Sequence, residues 1–312
     1  MKSQTTNTFL QPIHTILVCL DLTEADPPLI QYASNLAQTL SAEKVIFFHA
    51  IQAYDLPDRS SKDFPNVETE LKGIIRRSIH HSVDSHFEND CHWEIVTRPV
   101  YEDAAREIVD YVETEEIDLT MIGQKYGENR RARYGHEITA HANSDILFAP
   151  QDTQLTLAPV LCAIDFSDAS IKAFERALDI SRTLAVQLIC YAISDPARAY
   201  FPASTERSSD YDKTQSRKAF DKFIDPYGLS PDTVSCRINP EDGAGSEADN
   251  IYTAAVREEA GLIIVGASGG TEKVTSLLGN LYESFRLMEK EIPVMIVKHE
   301  SKRKFPWFWK EE

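Results

Sequence analysis

Four of the chain's 12 glycines fall within the sixteen residues from Val265 to Asn280, VGASGGTEKVTSLLGN. Gly266, Gly269 and Gly279 stand at the spacing G-x2-G-x9-G. A residue without a Cβ lets the backbone come close to something. That something is either an anion gripped by main-chain N–H groups or a neighbouring element in a tight strand-to-helix connection. The anion reading has a definite chemistry. Gly279 and Asn280 open the helical pattern Leu281 to Lys290, and a helix start offers free N–H groups and a partial positive charge that stabilise a phosphate. The spacing is neither G-x4-G-K-[ST] nor G-x-G-x2-G, so the P-loop and dinucleotide fingerprints are excluded.

Other reactive residue types carry weaker patterns. Ser167, Ser170 and Ser268 have no nucleophile motif around them, and Ser167 or Ser170 is read as a helix cap. His80, His81, His86 and His92 lie near Cys91 without a clean pair four apart on one helix face, so surface histidines are expected there and no metal. Five cysteines, an odd number with no C-x2-C pair, argue against a disulfide framework and a zinc site. They read as small buried apolar residues. Lys273 and Arg286 are candidate outer cations for a phosphate, or exposed helix charges.

The elements that must position these residues repeat. ILVCLD ending at Asp21 returns as VLCAID ending at Asp165, FFHAI with His49 as ICYAI with Tyr191, and DLTMIG ending at Gly123 as GLIIVG ending at Gly266, at separations of 144, 142 and 143. Three apolar runs in one register mean a duplication, with its seam near residue 155. Each copy starts with a continuously apolar run, as expected of a parallel strand buried on both faces. Helical and strand patterns then alternate to a fifth strand at Ile146 to Ala149 or Val294 to Val297. The fold class is therefore α/β: two tandem doubly wound, mainly parallel five-stranded sheets. In such sheets ligands sit at the carboxyl ends of strands where the winding reverses. The glycine loop follows strand four and Asp165 follows strand one, so both belong to that crevice. There Asp165 can accept hydrogen bonds from a ribose or an adenine edge, or help hold a metal.

The division into domains is 1–154, with a degenerate glycine loop, 155–300, with the regular one, and a basic-aromatic tail 301–312, KRKFPWFWKEE from Lys302. Eleven residues interrupted by Pro306 make a poor membrane helix. That tail is read first as a contact for its own oligomer or a protein partner. The net charge is -17, with 13 Lys+Arg against 25 Asp+Glu in residues 1–154. Such acidity disfavours nucleic acid and anionic membrane as partners. No apolar run approaches the roughly 20 residues that span a bilayer, and the N-terminus lacks a signal-like apolar core. A cytoplasmic location is expected.

VLCAIDFS, GLIIVG, G-x2-G-x9-G and the last strand IPVMIVK together resemble the universal stress protein family, and the duplication resembles its tandem, UspE-like branch. The resemblance covers residues 13 to 299, twice over. It implies a regulatory or protective role in stress and binding of ATP or a related adenine nucleotide, with Mg2+, in the second copy. It further implies that Asp165, the backbone of Ala192 or Ile193, and Gly266, Gly269, Gly279 and Asn280 hold that nucleotide. It also implies a homodimer of tandem chains. Asn280 departs from the family's Ser or Thr and loses a hydroxyl for phosphate, although its amide donates. The first copy's loop, GQKYGENRRARYGHE, keeps Asp21 but not the glycine spacing, and holds Arg130, Arg131 and Arg133 instead. That copy is read as having lost nucleotide binding. The alternative is a non-nucleotide interaction scaffold. An ATP hydrolase, at most weak, comes third because no catalytic signature is present.

Overall fold

After Thr15, β1 (Thr15–Leu20) is apolar, as is all of β6 (Val160–Ile164), and helices cover the sheet on both sides. The computed structural model describes residues 12–52, 67–100, 103–124, 135, 137–151, 156–192, 209–229, 234–238, 247–268 and 292–299. After β1 the first copy runs through α1 (Asp26–Leu40), β2 (Lys44–Gln52), α2 (Val67–His86), β3 (His92–Val100), α3 (Ala104–Thr114), β4 (Leu119–Gln124) and β5 (Asp145–Pro150). The second runs from β6 through α4 (Asp168–Leu184), β7 (Leu188–Ala192), α5 (Ser209–Ile224), β8 (Val234–Ile238), α6 (Glu247–Arg257), β9 (Leu262–Ser268) and β10 (Val294–His299).

The expected two sheets are joined into one. Ten strands lie in the order β3-β2-β1-β4-β5-β10-β9-β6-β7-β8, parallel within each copy. The copies meet where β5 and β10 pair antiparallel, Val294 with Phe148, Met295 with Leu147 and Ile296 with Ile146. This pairing lies within one chain and covers two edges that would otherwise invite aggregation. α1, α2, α4 and α5 cover one face and α3 and α6 the other, and each core layer runs through both copies without a break. The repeat extends to backbone geometry. Left-handed non-glycine residues occur at Leu22 and Phe166, at Ser41 and Ala185, and at Glu116 and Glu259, pairs separated by 144, 144 and 143 residues.

Pairing also corrects one reading of the repeat. Leu20 lies opposite His49 on β2 and Ile164 opposite Ala192 on β7, so the counterpart of His49 is Ala192 rather than Tyr191. A shift of one residue on a strand exchanges the two faces. Tyr191 accordingly packs in the layer that holds Phe48, and Ala192 in the layer that holds Phe47.

The junction between copies carries a buried charge cluster. Arg176 on α4 reaches Asp145 at the start of β5, Nε to Oδ2 at 3.2 Å, with both side chains over nine-tenths buried. The backbone N–H of Lys298 on β10 donates to the other oxygen, Oδ1, at 2.9 Å, and the Lys298 ammonium donates to the Thr139 carbonyl. Burial pulls the Lys298 amine down to about 8 despite Asp145 nearby. The folded chain therefore loses this proton before the unfolded chain does, and stability rises with pH between about 8 and the ordinary lysine value. Lys298→Met should abolish that rise, worth at most about 3 kcal/mol, and be the more stable form at pH 7. Urea midpoints of both proteins from pH 7 to 10 check it; parallel pH profiles would refute the assignment.

Candidate functional site

Asp165 follows the last residue of β6, where the strands on either side separate. β6 pairs with β9 only as far as Cys162 opposite Ile264. Beyond that, β6 continues beside β7 to Ile164 opposite Ala192, and β9 continues beside β10 to Ser268 opposite His299. β6 and β9 therefore splay at their carboxyl ends; α4, which follows β6, covers one face of the sheet, and α6, which leads into β9, covers the other. This is where a doubly wound sheet opens a ligand crevice.

The turn after β6 is built to aim the acid. Phe166 sits at φ 63°, a left-handed conformation that costs a non-glycine residue about 1 kcal/mol. Asp165 stays exposed. Its Oδ1 accepts from the Ser167 N–H at 3.0 Å and from the Ser167 hydroxyl at 2.5 Å. Ser167 in turn caps α4, its Oγ accepting from the Ser170 N–H at 3.3 Å, which answers the choice between Ser167 and Ser170 as the cap. Acid, turn and helix start are thus one hydrogen-bonded unit.

Gly266 explains how that unit meets β9. A Cβ built at Gly266 would lie 2.2 Å from the Ala169 carbonyl oxygen, 2.5 Å from its carbon and 3.0 Å from the Ser170 nitrogen. The close approach that this glycine permits is therefore to the first turn of α4. The helix-packing reading of the glycine, left open beside the anion reading, accounts for position 266. The same packing delivers the N-terminus of α4, with its partial positive charge, to the mouth of the crevice. Ala192, the last residue of β7, is buried and leaves only a methyl group beside β6. Ile193, Gly269, Gly279 and Asn280 lie outside the described residues, as do Lys273, Arg286, the arginine loop of the first copy and the tail from 301.

The first copy places different groups at the same positions. Asp21 keeps its partner, the Thr23 hydroxyl donating to its Oδ1 at 2.6 Å, and Leu22 repeats the left-handed turn at φ 62°. Two side chains then close in. Asp26, the counterpart of Ser170, is buried and accepts from the Leu22 N–H at 2.7 Å and the Asp21 N–H at 3.2 Å. His49, the counterpart of Ala192, is buried with Nδ1 2.9 Å from the Leu20 carbonyl oxygen, which makes Nδ1 the donor. A carboxylate already holds the backbone N–H groups of this turn, and an imidazole lies where the second copy has a methyl. Gly123, the counterpart of Gly266, is looser: its Cβ would come no closer than 3.4 Å to the Leu29 Cδ2. Sequence reasoning missed His49 and Asp26; shifting the repeat by one residue at β2 exposes the first, and aligning DLTEAD with DFSDAS exposes the second.

Elsewhere, His80 pairs with Asp84 at 2.8 Å and packs edge-on against Trp93. Among the described residues no three metal-binding side chains converge. No described helix is long and apolar enough to cross a membrane.

The model of the universal stress protein family matches residues 12–136 and again 157–298. The chain belongs to the universal stress protein family. Its two matches make it a tandem universal stress protein, and the break between them, residues 137–156, contains β5 and ends just before β6. A universal stress protein from Archaeoglobus fulgidus DSM 4304 superposes with a TM-score of 0.68 at 17% identity, covering 93% of this chain and 99% of its own. A functionally unknown protein from Pseudomonas aeruginosa PAO1 gives 0.58 at 14% identity over 92% of each chain. At these identities the likeness is one of fold. A universal stress protein solved in complex with cAMP covers 46% of this chain at a TM-score of 0.32 and 15% identity, too slight a likeness to argue from. No curated protein sequence matches the chain.

Proposed function

We propose that this tandem universal stress protein binds ATP or a related adenine nucleotide in its second copy, and that it acts in a regulatory or protective role under stress. The observation that carries the reading is the splayed end of β6 and β9, with the exposed Asp165 carboxylate at its mouth and the start of α4 drawn alongside by Gly266. A carboxylate there accepts from ribose hydroxyls, and the small Ala192 leaves room for a flat base against the end of β7. The glycines at 269 and 279 and the amide of Asn280 would meet the phosphates. Asp165 is the described side chain suited to help hold a Mg2+, which would offset phosphate charge. The first copy does not fit the same ligand, because Asp26 and His49 fill its turn and ledge and Asp26 repels a phosphate. A dimer of two tandem chains belongs to the same proposal.

The second reading, an interaction scaffold without nucleotide, is favoured by Gly266 itself, whose missing Cβ is already accounted for by α4. Calorimetric titration with ATP and Mg2+ separates the two. Wild type should bind in the submillimolar range, Asp165→Asn about tenfold more weakly or worse, and Gly269→Val not at all. Absence of heat from the wild type at submillimolar nucleotide would leave the scaffold; sustained release of phosphate would instead make the protein an enzyme.

A further inference from the structure

Three of the five cysteines stand in one row. Cys162 on β6 lies opposite Cys190 on β7, and Cys190 lies opposite Cys236 on β8. Residues in register on neighbouring parallel strands point to the same face, and all three pack in the core layer beneath α4 and α5. The first copy has Val18, Phe47 and Ile95 at these positions, so the thiols belong to the second copy alone.

We propose that Cys190 and Cys236 are a thiol pair that a peroxide converts to a cross-strand disulfide tying β8 to β7. The spacing suits the bond. Neighbouring strands lie about 4.8 Å apart, within the roughly 4.4–6.8 Å between Cα atoms that a disulfide bridges. All three thiols are free in the structure. Cys190 can pair with either neighbour, and access selects between them. β8 is the outermost strand, and Cys236 is only partly buried, whereas Cys162 and Cys190 are wholly buried. Burial pushes the Cys236 thiol up to about 11, with Arg217 and Arg237 opposing and Asp221 adding to the rise. Burial raises Cys162 and Cys190 further, and each neighbouring thiol adds to the rise at Cys190. Cys236 is thus the first of the row to attack, and the reaction is slow at neutral pH because little thiolate is present.

The steps balance. The Cys236 sulfur attacks one oxygen of hydrogen peroxide, the O–O bond breaks, and water leaves with the thiol proton. The resulting sulfenic sulfur is attacked by Cys190, its S–O bond breaks, and a second water leaves. Two thiols are oxidised to one disulfide and one peroxide is reduced to two waters.

Such rows also arise for packing alone. Phe47 and Trp93 bring aromatic bulk from the sheet in the first copy, and Phe174, Phe220 and Phe223 bring it from the helices in the second, where small sulfurs lie beneath. The two roles separate experimentally. Reduced full-length protein is treated with hydrogen peroxide in native buffer, the remaining thiols are alkylated, and peptides are mapped by mass spectrometry. We expect two of the five thiols to disappear into one Cys190–Cys236 cross-link. It should persist in Cys162→Ser, be absent in Cys236→Ser, raise the urea midpoint, and be reversed by dithiothreitol. Five alkylatable thiols, a Cys162–Cys190 link, bonds between chains, or oxidation of Cys236 to a sulfinate without a cross-link would each overturn the proposal. The wild-type map decides the question even if a serine variant fails to fold.

Discussion

Gly266→Ala is expected to destabilise the protein by about 3 kcal/mol or more, while Gly123→Ala shifts stability by less than about 1 kcal/mol in either direction. The two glycines occupy the same place in the two copies, near the carboxyl ends of β4 and β9. What differs is the neighbour. At 266 an added methyl meets the carbonyl of Ala169 at 2.2 Å, a backbone atom fixed in the first turn of α4 that cannot rotate away. The helix would have to move by about an ångström, lifting Ala173, Phe174 and Ala177 from a core with few voids. At 123 the methyl meets only the tip of Leu29 at 3.4 Å, and a leucine tip shifts at little cost. Paired urea denaturations measure both. Equal destabilisation of the two variants would show that the glycines serve backbone conformation and that the packing argument is wrong. A Gly266→Ala protein that still folds should also bind nucleotide less well, since it displaces the helix start beside Asp165.

Arg176→Leu is expected to cost about 3–5 kcal/mol, because it leaves the Asp145 carboxylate buried at the junction of the copies without its cation. Burial already raises the Asp145 pKa, and Arg176 is the strongest influence opposing that rise. Removing the arginine raises it further. Below that raised value the folded variant holds a proton that the unfolded chain, titrating near 3.8, does not. Its stability deficit is therefore full at neutral pH and shrinks as the pH falls through this window. Arg176→Leu combined with Asp145→Asn should recover most of the loss at pH 7, since no charge remains to be desolvated. Denaturation of the three proteins at pH 5 and pH 7 tests this; a single-variant deficit independent of pH would mean that packing of the arginine stem, and not charge, is what α4 supplies. Both core layers and this pair cross from one copy to the other, so the halves should lose structure in one transition.

Much of the architecture was legible because duplication writes each strand twice. Runs such as ILVCLD and VLCAID are apolar up to their closing Asp, the mark of strands covered on both faces, and three such pairs at nearly one separation located the first, second and fourth strands of both copies. The crevice was legible for a related reason. In a doubly wound sheet the winding reverses beside the first strand, so Asp165 and the end of β9 had to be neighbours wherever the chain placed its helices. What the glycine at 266 is for was not legible, since a glycine facing an anion and one facing a helix carbonyl are the same letter. The closure of the first copy was hidden as well. His49 and Asp26 become plugs only when strand register shows which residue of one copy stands for which of the other, and the repeated Ala-Ile at the end of the second strand suggests a register one residue off.

By itself, then, the sequence determined the α/β alternation, the two copies and the strand-end location of the acid, all of which follow from local patterning and chain connectivity. Only the tertiary structure decided that Gly266 admits α4, that Arg176 and Asp145 bridge the copies, and that Cys162, Cys190 and Cys236 share one row. These depend on contacts between residues far apart along the chain. Their partners are set by register and packing distance, which no single segment encodes.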